Sequence, residues 1–536
     1  MATFEISARA SLLVAAAVVL TKLWLVHSEE ICGSATRYDA FWFVNSAKDW
    51  YWGAAYSWTA FVRPPSYPLW LGLVHEIGLR QRLAIEVLQL SGYALLVLGL
   101  RRAGASRAVC AAGFAAACFH PGSFQLNNYT MADPFYAAVL SITVGAMILT
   151  MATARRAVAL ATGVALAVLW FTREESVLIV LLVLGFCGIW LLRERTAVES
   201  WRAAARRVFV PCILLVGTLA ALVLTVYSVN ERTFRAFGRS EMSSPSYDRA
   251  LEALIRIKPP SFGRYVPVTT ESLNLAFAAS QTFARLKPHF DAGVGEGWRT
   301  ETLNQQGVRG EIGINYLMWA LRNAAAEARI HADAKKAEKF YNRMAREINA
   351  ACDARRVPSR IVWASFIGPN LLPNAHRLPR SLADMLRVFV LRYETAPLKD
   401  DEILLPEERA IYDDITRRRS LEAVRAASAP VATAVKNAIG WGHRFFVMAL
   451  AGGALVALAA AVRRGRRASM RPLDAALLLI FLAIVSRVGL FTVIDATSWP
   501  VAYERFLFPV MPMTTVFLLA VIGEAVRPAR DEAARS

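Results

Sequence analysis

Residues 473–494 read LDAALLLIFLAIVSRVGLFTVI. This run of 22 residues holds one acid near its start and one cation, Arg487, inside it. At about 1.5 Å per residue, a helix of this length is about 33 Å long, enough to cross a hydrocarbon core of about 30 Å. The run therefore reads as a transmembrane helix. Comparable apolar runs lie at 10–27, 83–100, 107–120, 132–152, 157–172, 176–192, 208–228, 443–462 and 505–526, of which 107–120 and 157–172 are short. Residues 66–79 are too short for a crossing and read as an interfacial or re-entrant helix. The predicted fold class is an all-α polytopic membrane protein with about ten transmembrane helices.

Composition agrees. Of 536 residues, 56% are hydrophobic and 19% charged, and the mean hydropathy is +0.36. Soluble globular and disordered chains have a different balance. With 30 Gly and 6 Cys, a collagen-like or disulfide-stapled chain is excluded. A net charge of +19 could speak for nucleic acid, but its placement speaks for topology. Arg101, Arg102 and Arg107 share one inter-span turn, and Arg155 and Arg156 another. Arg193, Arg195, Arg202, Arg206 and Arg207 share a third, and Arg463, Arg464, Arg466, Arg467 and Arg471 a fourth. With ten crossings, all four lie on one side, whereas 121–131 and 495–504 contain no Lys or Arg. By the positive-inside rule, both termini are expected in the cytoplasm and the protein in the cell (inner) membrane. Residues 28–65 and 229–440 then face outward, and no nucleic-acid partner is expected. The first span is expected to stay as a signal-anchor rather than be cleaved near Val26-His27-Ser28. Lys22 is expected to snorkel outward from it.

Three parts follow: a membrane module at 1–228 with its first outer loop at 28–65, an extracytoplasmic domain at 229–440, and membrane helices at 441–536. The 229–440 segment holds 32 basic and 24 acidic residues and Pro-rich joints such as Lys258-Pro259-Pro260 and Pro369-Asn370. Residues 311–328, 333–354, 380–393 and 406–427 carry amphipathic helical patterns; Phe340, Met344, Ile348 and Cys352 recur every four residues. A mostly helical domain is expected. Cys32 and Cys352 are the two thiols on the outward side, where a disulfide is permitted. Cys352 reads equally as the next residue of its apolar stripe.

The first outer loop carries the chemistry. It contains Arg37-Tyr38-Asp39-Ala40-Phe41-Trp42-Phe43, Ala47-Lys48-Asp49-Trp50 and Arg63-Pro64-Pro65-Ser66-Tyr67-Pro68-Leu69-Trp70. A carboxylate in such a place can take a proton from an attacking hydroxyl. The same residues also describe an interfacial aromatic belt with a solvated Asp. Arg487 inside a span calls for a cavity or a partner, such as an ion pair with Asp133. Arg173 and Arg505 lie at outer span ends, where a guanidinium can fork onto phosphate or simply anchor the interface. His75 and His120 read as structural, His120 beside the Pro121-Gly122 turn.

The loop resembles that of the GT-C superfamily, polytopic glycosyltransferases that use polyprenyl-phosphate sugars. Those enzymes carry an early Asp followed by a P-x-Y-P stretch, matched by Asp39 and by Pro65-Ser66-Tyr67-Pro68. Asn128-Tyr129-Thr130-Met131-Ala132-Asp133-Pro134, Thr172-Arg173-Glu174-Glu175 and Tyr503-Glu504-Arg505-Phe506-Leu507-Phe508-Pro509 resemble three further family stretches in the same order. The resemblance covers 1–228 and 443–526. It implies inverting transfer of a sugar from a polyprenyl-phosphate donor to a lipid, glycan or protein acceptor, among membrane lipids. Asp39 would be the base, with Asp49 as second candidate. Arg505, Arg487 and Arg173 would hold the donor phosphate, and Arg63, Tyr67, Asp133 and Glu174 would line the substrate. The departures are Ala40, where many relatives have a second acid, and the 229–440 segment, which matches no catalytic module. No Walker, dinucleotide or zinc motif occurs, so neither cofactor nor metal is expected. The alternatives are a transporter or flippase of lipid-linked sugars, which more often shows an internal repeat, and a non-catalytic membrane protein with an outward binding domain.

Overall fold

In a bilayer, backbone N–H and C=O groups must be satisfied within the segment or within a closed barrel. Long apolar runs without alternation answer this as helices. The computed structural model describes residues 6–31, 37–57, 59–198, 200–261, 263–362, 368–391, 406–419, 429–463 and 470–526. Among them it forms helices and no β-strand, with one isolated bridge between Ile257 and Ser359. Eight helices are long and apolar enough to cross a membrane: Ala8–Val26, Gln81–Ala103, Ala132–Thr153, Ser176–Ala197, Trp201–Phe234, Pro430–Ala457, Pro472–Thr497 and Glu504–Ala525. The chain is an all-α polytopic membrane protein.

The two short runs are apolar helices of 12 and 15 residues, Arg107–Cys118 and Arg156–Trp170. At about 18 and 22 Å they fall short of a full span by length. Tight turns return each along its predecessor, one closed by Gly104 at φ 111° and the other by Ala154 at φ 50°. Thr150 Oγ1 meets Thr162 Oγ1 at 2.9 Å across the second hairpin. Residues 66–79 form the Ser66–Glu76 helix, 11 residues and too short to cross.

Ala132–Thr153 is the innermost long helix. It meets Gln81–Ala103 at close range because both are small at the crossing. A Cβ on Gly145 would lie 2.7 Å from the Leu96 nitrogen, and one on Gly92 2.8 Å from the Ala138 oxygen. Such approach brings dispersion contacts that lipid cannot match.

The arginine-rich turns gather at one end of the bundle. Arg193 donates to the Met151 carbonyl at 2.7 Å, and Arg471 pairs with Asp474 at 2.8 Å and with Glu524. The turns poor in Lys and Arg lie at the other end, together with the segment after Phe234. There, Pro245–Arg256, Ile314–Glu327 and Ala334–Asp353 build a second core from Leu251, Leu254, Leu317, Leu321, Met344 and Ile348. Ile314–Glu327 and Ala334–Asp353 fall inside the windows that amphipathic spacing predicts, whereas Pro245–Arg256 lies outside them. Leu378–Leu391 matches its window within about two residues. The first part of the 406–427 pattern forms Pro406–Thr416, followed by Arg417 at φ 50°; residues 420–427 lie outside the described residues. Cys352 is buried in the second core beside Ile348. Cys32 lies outside the described residues, and with it the permitted pairing.

Lys22 does not snorkel. It is fully buried, with Nζ 2.6 Å from Ser123 Oγ and 3.3 Å from Glu86. Glu86 also holds Arg82 at 2.6 Å; Arg82 holds Glu29 at 2.6 Å, and Glu29 holds Lys436. An acid within reach on the neighbouring helix compensates the ammonium, which is why it stays inside.

Candidate functional site

The first loop folds into a helix, Arg37–Lys48. Its apolar residues Ala40, Phe43, Val44 and Ala47 recur at helical spacing and enter the membrane core. This leaves Asp39 in the first turn, where a negative charge suits the helix N-terminus. Arg63, just before Pro64-Pro65, bonds Asp39 with one nitrogen and lies 3.7 Å from Glu174 with another. Its guanidinium also stands 4.9 Å from the Trp319 ring, and Trp319 stacks on Trp42 with centroids 4.9 Å apart. Trp319 belongs to Ile314–Glu327, so the outer domain helps to fix an arginine of the first loop.

From Asp39 the charges continue inward. Arg505 Nη2 is 3.5 Å from Asp39 Oδ2, and its Nε donates to Asp133 Oδ2 at 3.0 Å. Asp133 also accepts from Arg173. Arg173 Nε donates to Glu175 at 2.7 Å, and Glu175 accepts from Arg487 at 2.5 Å. Arg487 Nε then donates to the Phe506 carbonyl at 2.6 Å. The order Arg63, Asp39, Arg505, Asp133, Arg173, Glu175, Arg487 alternates in sign throughout. Glu174 beside Arg63 balances the set. Asp133 and Arg487 are closed off at 0% and 1% side-chain exposure, while Arg505 is 24% and Glu174 35% exposed. The cluster therefore has a buried floor and an open mouth. Burial alone would raise the Glu175 carboxyl; Arg173 and Arg487 more than reverse this and hold it below its ordinary value.

The structure thus brings together Asp39, Arg63, Asp133, Arg173, Glu174, Arg487 and Arg505. It leaves out two predicted residues. Asp49 lies just past the far end of the Arg37–Lys48 helix, about 15 Å along the axis from Asp39. Its carbonyl accepts from Gly53, and the ion cluster does not include it. Tyr67 is buried, its hydroxyl accepting from Gln81 at 3.0 Å and its ring edge-on to Phe43. It is packing beneath the site. Arg487 pairs with Glu175 rather than with Asp133. Glu175 is the residue the sequence reading overlooked, although the acidic doublet after Arg173 pointed to it. Trp319 had no signal in its own segment.

His120 behaves as its turn predicts, its Nδ1 accepting from the Gly122 amide at 3.2 Å and capping Pro121–Leu126. His75 Nδ1 lies 3.1 Å from the Asp414 carbonyl, away from the cluster. Beside Arg487, Tyr136, Leu140, Leu178, Leu182 and Ala483 line a small, partly open recess. Among the described residues, no three His, Cys, Asp or Glu side chains come together as a metal site.

Fold and site define a multi-pass helical membrane protein with a half-open ion cluster at one end. No protein-family model, curated protein or solved structure matches the chain.

Proposed function

We propose that the protein is a membrane glycosyltransferase of the GT-C kind, moving a sugar from a polyprenyl-phosphate donor to an acceptor hydroxyl on the outer side of the cell membrane. The observation that carries this reading is the convergence of Asp39 with Arg505, Arg63 and Arg173 at one half-open mouth, from segments far apart in sequence. Charges of both signs at a membrane surface are what such a transfer needs: a carboxylate to take the acceptor proton and guanidinium groups to receive the departing phosphate.

In the chemistry proposed, the acceptor oxygen attacks the anomeric carbon while the bond to the phosphate oxygen breaks on the opposite face. The acceptor proton passes to Asp39, and the leaving phosphate keeps the electron pair. Arg505, with Arg173 and Arg487 behind it, supports that charge. The test is direct. The purified protein is reconstituted with short-chain polyprenyl-phosphate sugars and candidate acceptors, and release of polyprenyl phosphate is followed. Release that is acceptor-dependent and lost in Asp39→Asn supports the reading. Failure to bind or turn over any polyprenyl-phosphate sugar refutes it.

A further inference from the structure

The Leu378–Leu391 helix has three faces. At about 100° per residue, Ser381, Met385, Val388 and Phe389 share one arc, and all are buried. This arc rests on the last turns of Pro472–Thr497 and on Glu504–Leu507. Ser381 Oγ donates to Asp495 at 2.7 Å there. The next arc holds Leu382, Ala383 and Leu386, all exposed, the two leucines at 41% and 53%. The third arc holds Arg380, Asp384 and Arg387, with Arg387 3.1 Å from Asp384.

A helix in water has no use for the middle arc, because apolar surface there costs hydration free energy. What surrounds it shows what covers it. The span beneath presents Leu478, Phe481 and Val485 outward, its lipid-facing stripe. Leu378–Leu391 sits on the end of that span through Ser381 and Asp495, ten residues or about 15 Å beyond Val485, at the height where the span stops. Leu372, in the preceding turn of helix against the same span, is 81% exposed. The charged arc lies on the far side from these leucines.

We infer that Leu378–Leu391 lies along the lipid–water interface at the site end of the bundle, with Leu372, Leu382 and Leu386 among acyl chains and Arg380 and Arg387 at the level of headgroup phosphates. A polar face flanked by an apolar one, at the height where a span ends, is the arrangement of an in-plane interfacial helix. The occupant of this surface is the bilayer itself. The inference holds whatever the protein catalyses.

The experiment uses the full chain in phosphatidylcholine–phosphatidylglycerol vesicles doped with a phospholipid that carries a diazirine in its acyl chain. After irradiation, adducts are located by peptide mass spectrometry. Adducts are expected at Leu382 and Leu386 and not at Asp384, with Leu478 and Phe481 as the internal positive control. A Leu382→Glu, Leu386→Glu double variant is expected to lower labelling of 378–391 about tenfold and leave the span labelling unchanged. Labelled spans beside an unlabelled 378–391 in the unsubstituted protein overturn the inference, whether water or another protein covers the helix. Equal labelling on the charged and apolar arcs overturns it as well.

Discussion

Glu241→Gln should loosen the outer domain from the first loop. Glu241 opens the turn after the Trp201–Phe234 helix, and its amide donates to the Phe61 carbonyl at 2.8 Å. Its carboxylate accepts from Tyr56 at 2.6 Å and from Arg322 at 2.8 Å, and it contacts His331. Tyr56 and Phe61 belong to the loop that carries Asp39; Arg322 and His331 belong to the outer domain. Burial opposes ionisation here, but Arg322, then His331 and Tyr56, outweigh it and hold the carboxyl at about 2 instead of 4.5. That difference corresponds to about 3 kcal/mol of folded-state stability. The buried-pair rule gives a similar figure, about 3–5 kcal/mol, because the amide removes the carboxylate charge that faces the buried Arg322 guanidinium. For a domain of this size the melting temperature should fall by about 6–12 °C at pH 7. A depressed carboxyl contributes fully above its unfolded value and loses its contribution as pH falls towards its folded value. The gap between wild type and variant should therefore stay constant above about pH 5 and close between about pH 4.5 and pH 2. Thermal unfolding of both proteins in detergent at pH 7, 5 and 3, followed by tryptophan fluorescence, measures it. Equal melting temperatures at pH 7, or a gap that ignores pH, would refute the reasoning.

Four further outcomes are expected. Asp39→Asn keeps shape but not basicity and should lower donor turnover about 10²–10⁴-fold with normal expression, measured as polyprenyl phosphate released. Arg505→Lys keeps one charge but loses the fork onto Asp133 and Asp39, so donor turnover should drop while the melting temperature moves little; unchanged donor affinity and turnover in Arg505→Ala would assign the residue to anchoring. Gly145→Val should cost about 1–3 kcal/mol, read as a lower melting temperature, because its Cβ would press on the Leu96 backbone; Gly188→Val, with open space around it, is the control. Burial, then Glu252, pushes the Asp248 carboxyl up to about 6, so its charge opposes folding at pH 7. Asp248→Asn should stabilise by about 1 kcal/mol there after allowance for solvent screening, a gain that shrinks below pH 6 and is gone below pH 4.

Most of the architecture was legible because membrane helices announce themselves through length and apolarity: each of the ten runs falls on helix, although the helix over 208–228 spans Trp201–Phe234 and that over 443–462 already begins at Pro430, within the segment assigned to the outer domain. The two that fell short, 107–120 and 157–172, were short in sequence for the same reason. The Arg37–Lys48 helix escaped because its aromatic content reads as an interfacial loop, while its register on the core shows only once Ala40, Phe43, Val44 and Ala47 are seen packed. Lys22 was misplaced because a lone cation near a span end snorkels by default; its partner Glu86 is 64 residues away, and nothing local announces it. At the site, span-end charges could be found one by one. Their pairing could not, since Asp39 meets Arg505 across 466 residues and Arg63 meets Trp319 from another domain.

The alternation of the cluster bears on how Asp39 would act. In the resting arrangement it is held by Arg63 and faces Arg505, so its carboxylate oxygens are engaged before a substrate arrives. Arg505 is held far more closely by Asp133, at 3.0 Å, than by Asp39, at 3.5 Å. On the proposed reading, the donor phosphodiester arriving at the mouth competes for Arg505 and Arg63 as a singly charged acceptor of forked hydrogen bonds, and the departing phosphate monoester gains a second charge there. Drawing those guanidinium groups away would free the Asp39 oxygens to meet the acceptor hydroxyl when the donor is in place. Asp133, with no exposure of its own, keeps Arg173 and Arg505 from following the phosphate out. The acids that neutralise the arginines before the donor binds would thus set both the order of events and the position from which the leaving group is received.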